Sequence, residues 1–183
     1  MHIVLYHSVR RKRVNYTFRI DEDMFKSIEK EANEKGIAVS SLMCRITRNY
    51  VQRDRFLEQL GFIPVGKDVI RSWLDRIPED LLQDDAEKLG STIAREYITY
   101  FFHDIDVHTL IQFLDVWLGT LGGELQKKEH YGTHTIAINH CVSIQYSLYL
   151  KEFLRALIEP ITSQQVKFVE ITSNLVSFSF KVK

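Results

Sequence analysis

Cysteine is scarce in this sequence of 183 residues: two are present, Cys44 and Cys141, and neither lies in a paired metal-type motif. That excludes a disulfide framework and points to a reducing compartment. Long apolar runs are missing too. No stretch approaches the roughly 18 apolar residues of a spanning helix, and the N-terminus lacks the apolar core of a signal peptide. A soluble, cytoplasmic protein with no membrane partner is therefore expected. Also missing are a phosphate-binding Gly loop, Gly-x-Ser-x-Gly, His-Glu-x-x-His and a spaced carboxylate pair. Asp84-Asp85 and His103-Asp104 are isolated and read as a helix face and a helix end. The chain is accordingly expected not to be an enzyme and to carry no cofactor.

Net charge is absent as well, but the balance is uneven along the chain. Residues 1–55 hold 12 Lys and Arg against 7 Asp and Glu, net +5, and the remainder holds 12 against 17, net −5. A polyanion-binding module joined to a non-binding one has this distribution. The apolar content of 45% and charged content of 26% are those of a globular protein, with length for one domain or two small ones.

What is present is concentrated in residues 14–51. Val14, Tyr16, Phe18 and Ile20 alternate with Asn15, Thr17 and Arg19, the pattern of a short strand with one apolar and one polar face. Asp21 is a good N-cap for a helix carrying Met24, Phe25, Ile28 and Ala32 at three- and four-residue spacing, and Gly36 supplies a left-handed end. A second helix is predicted to start at Ser40, capped by its hydroxyl, with Leu42, Met43, Ile46 and Tyr50 on one face.

A unit of about 40 residues with one strand can neither satisfy that strand's backbone nor bury a sufficient core. It needs a partner, and a second copy is the simplest. Two strands paired antiparallel would turn Tyr16, Phe18 and Ile20 onto four helices and leave Asn15, Thr17 and Arg19, twice over, on the outer face. The competing reading is an edge strand of a larger sheet, but a lone strand followed by two helices leaves no sheet to join.

The run Asn15-Tyr16-Thr17-Phe18-Arg19-Ile20, the acidic cap, and Glu34-Lys35-Gly36-Ile37-Ala38-Val39-Ser40-Ser41-Leu42 together resemble the ribbon-helix-helix family of DNA-binding proteins, the Arc and MetJ type. The resemblance covers about residues 12–52. It implies a homodimer, with higher order on DNA possible, whose ribbon enters the major groove and reads bases through Asn15, Thr17 and Arg19. It also implies phosphate contacts from backbone amides at Val39, Ser40 and Ser41. The chemistry fits independently: Arg is bidentate to guanine, Asn to adenine, and Thr donates, accepts or touches the thymine methyl, while a helix N-terminus suits phosphate. Arg10, Arg11, Lys12 and Arg13 immediately precede the strand, where cations would lie against the DNA backbone. Double-stranded DNA and a second copy are thus the expected partners.

Pro64 and Gly66 mark a connector, giving a DNA-binding domain over 1–52, a linker over 53–66 and a second domain over 67–183. Residues 67–129 read as helical, with aromatic-rich apolar spacing that reads as core. Residues 133–142 then read as a strand, 144–161 as a helix, and 166–171 and 175–182 as strands joined by a turn at Ser173-Asn174. The fold class is therefore α+β: a ribbon-helix-helix, a helical middle and a C-terminal strand-helix-strand-strand layer, suited to dimerisation or to a small-molecule or protein effector. An antitoxin-like role, gripping another protein, is the alternative. A metal-responsive regulator is a further one, because His130, His134, His140 and Cys141 are imidazole and thiolate ligands in a short span, with His134 and His140 on one face of the predicted strand. Surface or core histidines are the plainer reading, since the tight His-x-His pair of the nickel-sensing relative is missing.

Overall fold

The computed structural model describes residues 14–55, 57, 63–121 and 124–182. It combines helices with an antiparallel sheet, and the chain divides into two compact units, Met1–Arg55 and Phe56–Lys183.

In the first unit, α1 spans Glu22–Glu34 and α2 spans Val39–Asn49, continued by a π-helical turn at Tyr50–Asp54. Asp21 holds the N-cap position in extended backbone but makes no side-chain cap bond. Glu22 and Asp23 still place negative charge at the positive end of the helix. At the other end Gly36 takes φ +62°, which lets Ile37 N–H donate to Ala32 O (3.0 Å) and Gly36 N–H to Asn33 O (3.1 Å). This left-handed closure turns the chain into α2. The predicted cap at Ser40 is corrected: Ala38 is the N-cap, its carbonyl accepting from Ser41 N–H (2.9 Å) and Leu42 N–H (3.1 Å), so Ser40 lies inside the first turn.

The predicted strand over 14–20 is not formed. Its residues carry no ladder among the described residues, because a single copy offers them no neighbouring strand. The apolar side of the segment is bare, with Val14 80%, Tyr16 85% and Phe18 52% exposed. Among the described residues of this unit only Ala32 and Leu42 are buried.

The second unit begins with α3 (Lys67–Leu74), α4 (Glu79–Lys88), a π-helical turn at Leu89–Ile93, α5 (Ala94–Phe102) and α6 (Val107–Leu118). Asp106 opens α6 with a reciprocal capping box: Thr109 N–H donates to its carboxylate (2.7 Å) and Asp106 N–H to the Thr109 hydroxyl (3.0 Å). Then follow β1 (Glu124–His130), β2 (Thr133–Asn139), α7 (Ile144–Thr162), β3 (Lys167–Ile171) and β4 (Leu175–Lys181). The sheet is antiparallel throughout in the order β1-β2-β4-β3, so β2 and β4 are neighbours although α7 and β3 lie between them in sequence.

Ile136 and Ile138 on β2 and Val176, Phe178 and Phe180 on β4 form a buried row against Leu114 and Leu118 of α6 and Leu150, Leu154 and Leu157 of α7. The alternate residues Thr135, Ala137, Ser177 and Ser179 face away and are half-buried. Helix α7 packs closely on the π-helical turn, and Gly90 is what permits it. A Cβ there would stand 2.4 Å from the Phe153 carbonyl oxygen, a backbone atom that cannot step aside.

Two expectations for this unit need correction. The helical reading of 67–129 fails at its end, because Glu124–His130 is an edge strand paired with β2 through a tight turn at Tyr131 and Gly132, both at positive φ (47° and 70°). Charged residues suit an exposed edge, where they discourage further pairing, so the strand lacks the alternation that reveals a strand. The strand predicted over 133–142 also ends earlier, at Asn139. There the chain leaves the ladder: His140 N–H (2.8 Å) and Cys141 N–H (3.3 Å) both donate to Asn174 O, and Cys141 adopts φ +54°. Among the described residues no helix is long and apolar enough to cross a membrane.

Candidate functional site

The residues expected to read bases, Asn15, Thr17 and Arg19, are all exposed and alternate in sequence with Val14, Tyr16 and Phe18, which are exposed too. Those expected to meet phosphate divide in two. Val39, Ser40 and Ser41 form the first turn of α2, with both serines exposed and Ala38 O bonded to the third and fourth residues of the turn. The amides of Val39 and Ser40 precede the first intrahelical bond, which is the feature that makes a helix start attractive to an anion. Arg10, Arg11, Lys12 and Arg13 lie outside the described residues. Because Ser40 is not the cap, Ser40→Ala does not carry a cap-loss penalty, and any effect on DNA affinity would come from the hydroxyl itself.

The four candidate metal ligands are not brought together. His130 packs its ring on Tyr131 (centroids 4.3 Å), and His134 stacks on Phe180 (5.4 Å, 17° between planes). The Cys141 thiol is exposed and donates to Asn139 Oδ1 (3.0 Å). His140 is fully buried beyond the end of β2 rather than beside His134 on its face. Six residues of extended chain span about 20 Å, far beyond a shared coordination sphere. Among the described residues no group of three or more His, Cys, Asp and Glu is placed to hold a metal ion.

His140 has a different task. Val142 N–H donates to its Nδ1 (3.1 Å), which assigns the ring proton to Nε2, and Nε2 donates to Ser147 Oγ (2.8 Å). The Ser147 hydroxyl in turn donates to Thr172 O (2.5 Å). In this arrangement the imidazole donates a hydrogen bond to the serine's oxygen and is no base for it. The chain joins the end of β2, the start of α7 and the β3–β4 turn. Arg71 of α3 adds a fourth element through Nε donating to Val142 O (2.6 Å). Sequence reading missed this role, because Arg71 and Thr172 are far in the chain from His140 and Ser147 and only folding brings them together.

A pH dependence follows. Burial, assisted by the positive charge of Lys67, pushes the His140 imidazole down from its usual 6.5 to about 4. The unfolded chain takes up this proton near 6.5, the folded one only near 4. The stabilisation is thus complete above pH 6.5 and is lost as the pH falls through that window, by about 3 kcal/mol in all. Urea titrations at stepped pH should show the second unit losing stability by that order between pH 6.5 and 4. A His140→Gln protein should show a flatter profile over the same range, and an equally steep one would place the acid sensitivity in another group.

A cleft of about 270 Å³ lies between α6 and the β1–β2 hairpin. Its walls combine Ile111, Leu114 and Phe180 with Asp115, Lys127 and His134. Lys127 and Asp115 form an ion pair across it. It was hidden in the sequence because 124–129 read as helix; the Tyr131-Gly132 pair between polar runs was the available hairpin signal. No protein-family model matches the chain, and no curated protein matches it either.

Proposed function

We propose that the protein is a homodimeric, sequence-specific DNA-binding regulator of transcription. In the dimer the 14–20 segments of two copies pair as an antiparallel ribbon that enters the major groove, with Asn15, Thr17 and Arg19 toward the bases. The observation that carries this reading is the exposed alternation of 14–20 beside two helices that bury only Ala32 and Leu42 among the described residues of their unit. So few buried side chains cannot offset the entropy of ordering the unit. Met24, Phe25 and Ile46 are exposed on the same two helices and Tyr50 on the turn that continues α2, and together with Tyr16 and Phe18 they supply the apolar surface that a second copy would cover. The net +5 of residues 1–55 supports a polyanionic partner.

The first turn of α2, with its free amides, would hold phosphate, and the cations at 10–13 would lie along the backbone beside the ribbon. Changing Arg10, Arg11, Lys12 and Arg13 to Ala should weaken binding to specific and random DNA alike. It should also flatten the dependence of log affinity on log salt by roughly 0.9 for each phosphate no longer neutralised. Binding titrations at several salt concentrations measure both, and an unchanged slope would remove the arm from the interface. The reading as a whole is tested by a genome-wide map of the sites occupied by the tagged protein. Discrete, recurrent sites sharing a sequence are expected, and uniform background would overturn it.

A further inference from the structure

Residues 125, 127 and 129 of β1 pair with Ile138, Ile136 and His134, so they share the side of the sheet that faces the helices. On β2 and β4 that side carries Ile, Val and Phe, with His134 at its end. On β1 it carries Leu125, then Lys127 and Glu129. These two exposed charges break the apolar pattern of that side; on an edge strand they discourage further pairing, and they also put charge at the mouth of the cleft behind them. The ion pair that one of them makes adds little. The Lys127–Asp115 pair is between one-third and one-half exposed on its two sides, and a pair of this kind contributes about 0–1 kcal/mol at most. Directly behind it the cleft has an apolar floor: Leu114, Ile136 and Phe180 are nearly buried, and Ile111 lines the side.

The cleft is lined by two lysines, two carboxylates and an apolar floor, and the one cation and one anion that already meet across it, Lys127 and Asp115, match a ligand that bears both charges at one end and hydrocarbon at the other. We propose that this cleft binds a free α-amino acid with an aliphatic side chain. Its carboxylate accepts from Lys127, its ammonium donates to Asp115, and its side chain lies on Leu114, Ile136 and Phe180. One half-exposed pair is then replaced by two charge-assisted contacts. The site lies wholly within the second unit and does not depend on the DNA-binding reading.

Calorimetric titration of the full-length protein, without DNA, tests this with leucine, valine, N-acetyl-leucine and leucine methyl ester as probes. Leucine or valine should bind saturably, and masking either charged end should lower affinity about tenfold, the effect of losing a hydrogen bond to a charged group. Lys127→Met and Asp115→Asn should each reproduce that loss while leaving the circular dichroism spectrum unchanged. Should either variant unfold, Ile111→Trp fills the side of the cleft without touching the charges and should abolish binding. Absence of saturable binding by any amino acid at millimolar concentration overturns the proposal. So does equal binding of the acetylated or esterified probe, which would make the site one for a simple amine or carboxylate.

Discussion

Replacing Phe18 with Ser is expected to dissociate the dimer and melt α1 and α2 together. In a single copy Phe18 is about half exposed, and a polar substitution at an exposed site ordinarily shifts stability by less than about 0.5 kcal/mol. In the proposed dimer the same side chain lies under the ribbon against four helices. There the substitution removes an aromatic anchor and leaves a hydroxyl among apolar groups, costing about 2–4 kcal/mol per site and twice that per dimer. The two readings therefore differ by as much as the whole stability of a unit of this size. Sedimentation and far-ultraviolet circular dichroism across a concentration series read the outcome: loss of mass and loss of first-unit helicity should coincide, with the second unit's own core intact. A Phe18→Ser protein that stays dimeric and fully helical, or a wild-type chain that is a folded monomer at micromolar concentration, would sink the ribbon.

Arg19→Ala should separate reading from holding. Arg19 is exposed at the end of the polar face of 14–20, and its removal leaves the apolar side untouched. If it is bidentate to guanine, each subunit loses about 1–3 kcal/mol of discrimination at one base pair, a factor of about 5 to 150. Affinity for random DNA, which comes from phosphate contacts, should change far less. Titrating the variant against the best site and its single-base variants at fixed salt gives the ranking directly. An unchanged ranking would leave Asn15, Thr17 and Arg19 as ordinary surface and keep the dimer without this mechanism.

The parts of the fold legible in the sequence are those set by short-range rules. Gly36 ends α1 with the left-handed residue that its position requires. The order strand, helix, strand, strand after residue 132, with its turn at Ser173-Asn174, follows from a change of hydrophobic period from two to three and a half and back. The His103-Asp104 step is a helix end because His103 takes the left-handed conformation after α5. Where the rules were nearly balanced, the reading slipped by a residue or two. Ser40 is the better capping side chain, yet Ala38 takes the cap because the close of α1 at Gly36 fixes where extended chain ends.

The sequence by itself determined, then, the periods of the segments after residue 132 and the turns at Gly36 and Ser173-Asn174. Tertiary structure alone decided the rest. Edge strand β1 has no apolar alternation of its own and exists because β2 offers it a ladder. His140 reads as a metal ligand beside His134, but its amide bonds Asn174 O and its ring bonds Ser147 in a buried network that Arg71 joins through Val142 O. The Lys127–Asp115 cleft appears only when β1 comes to lie across from α6. The physical reason is common to all three. Periodicity and propensity act between residues a few positions apart, whereas pairing, burial and ion contacts depend on partners far along the chain, whose position is set only when the core closes.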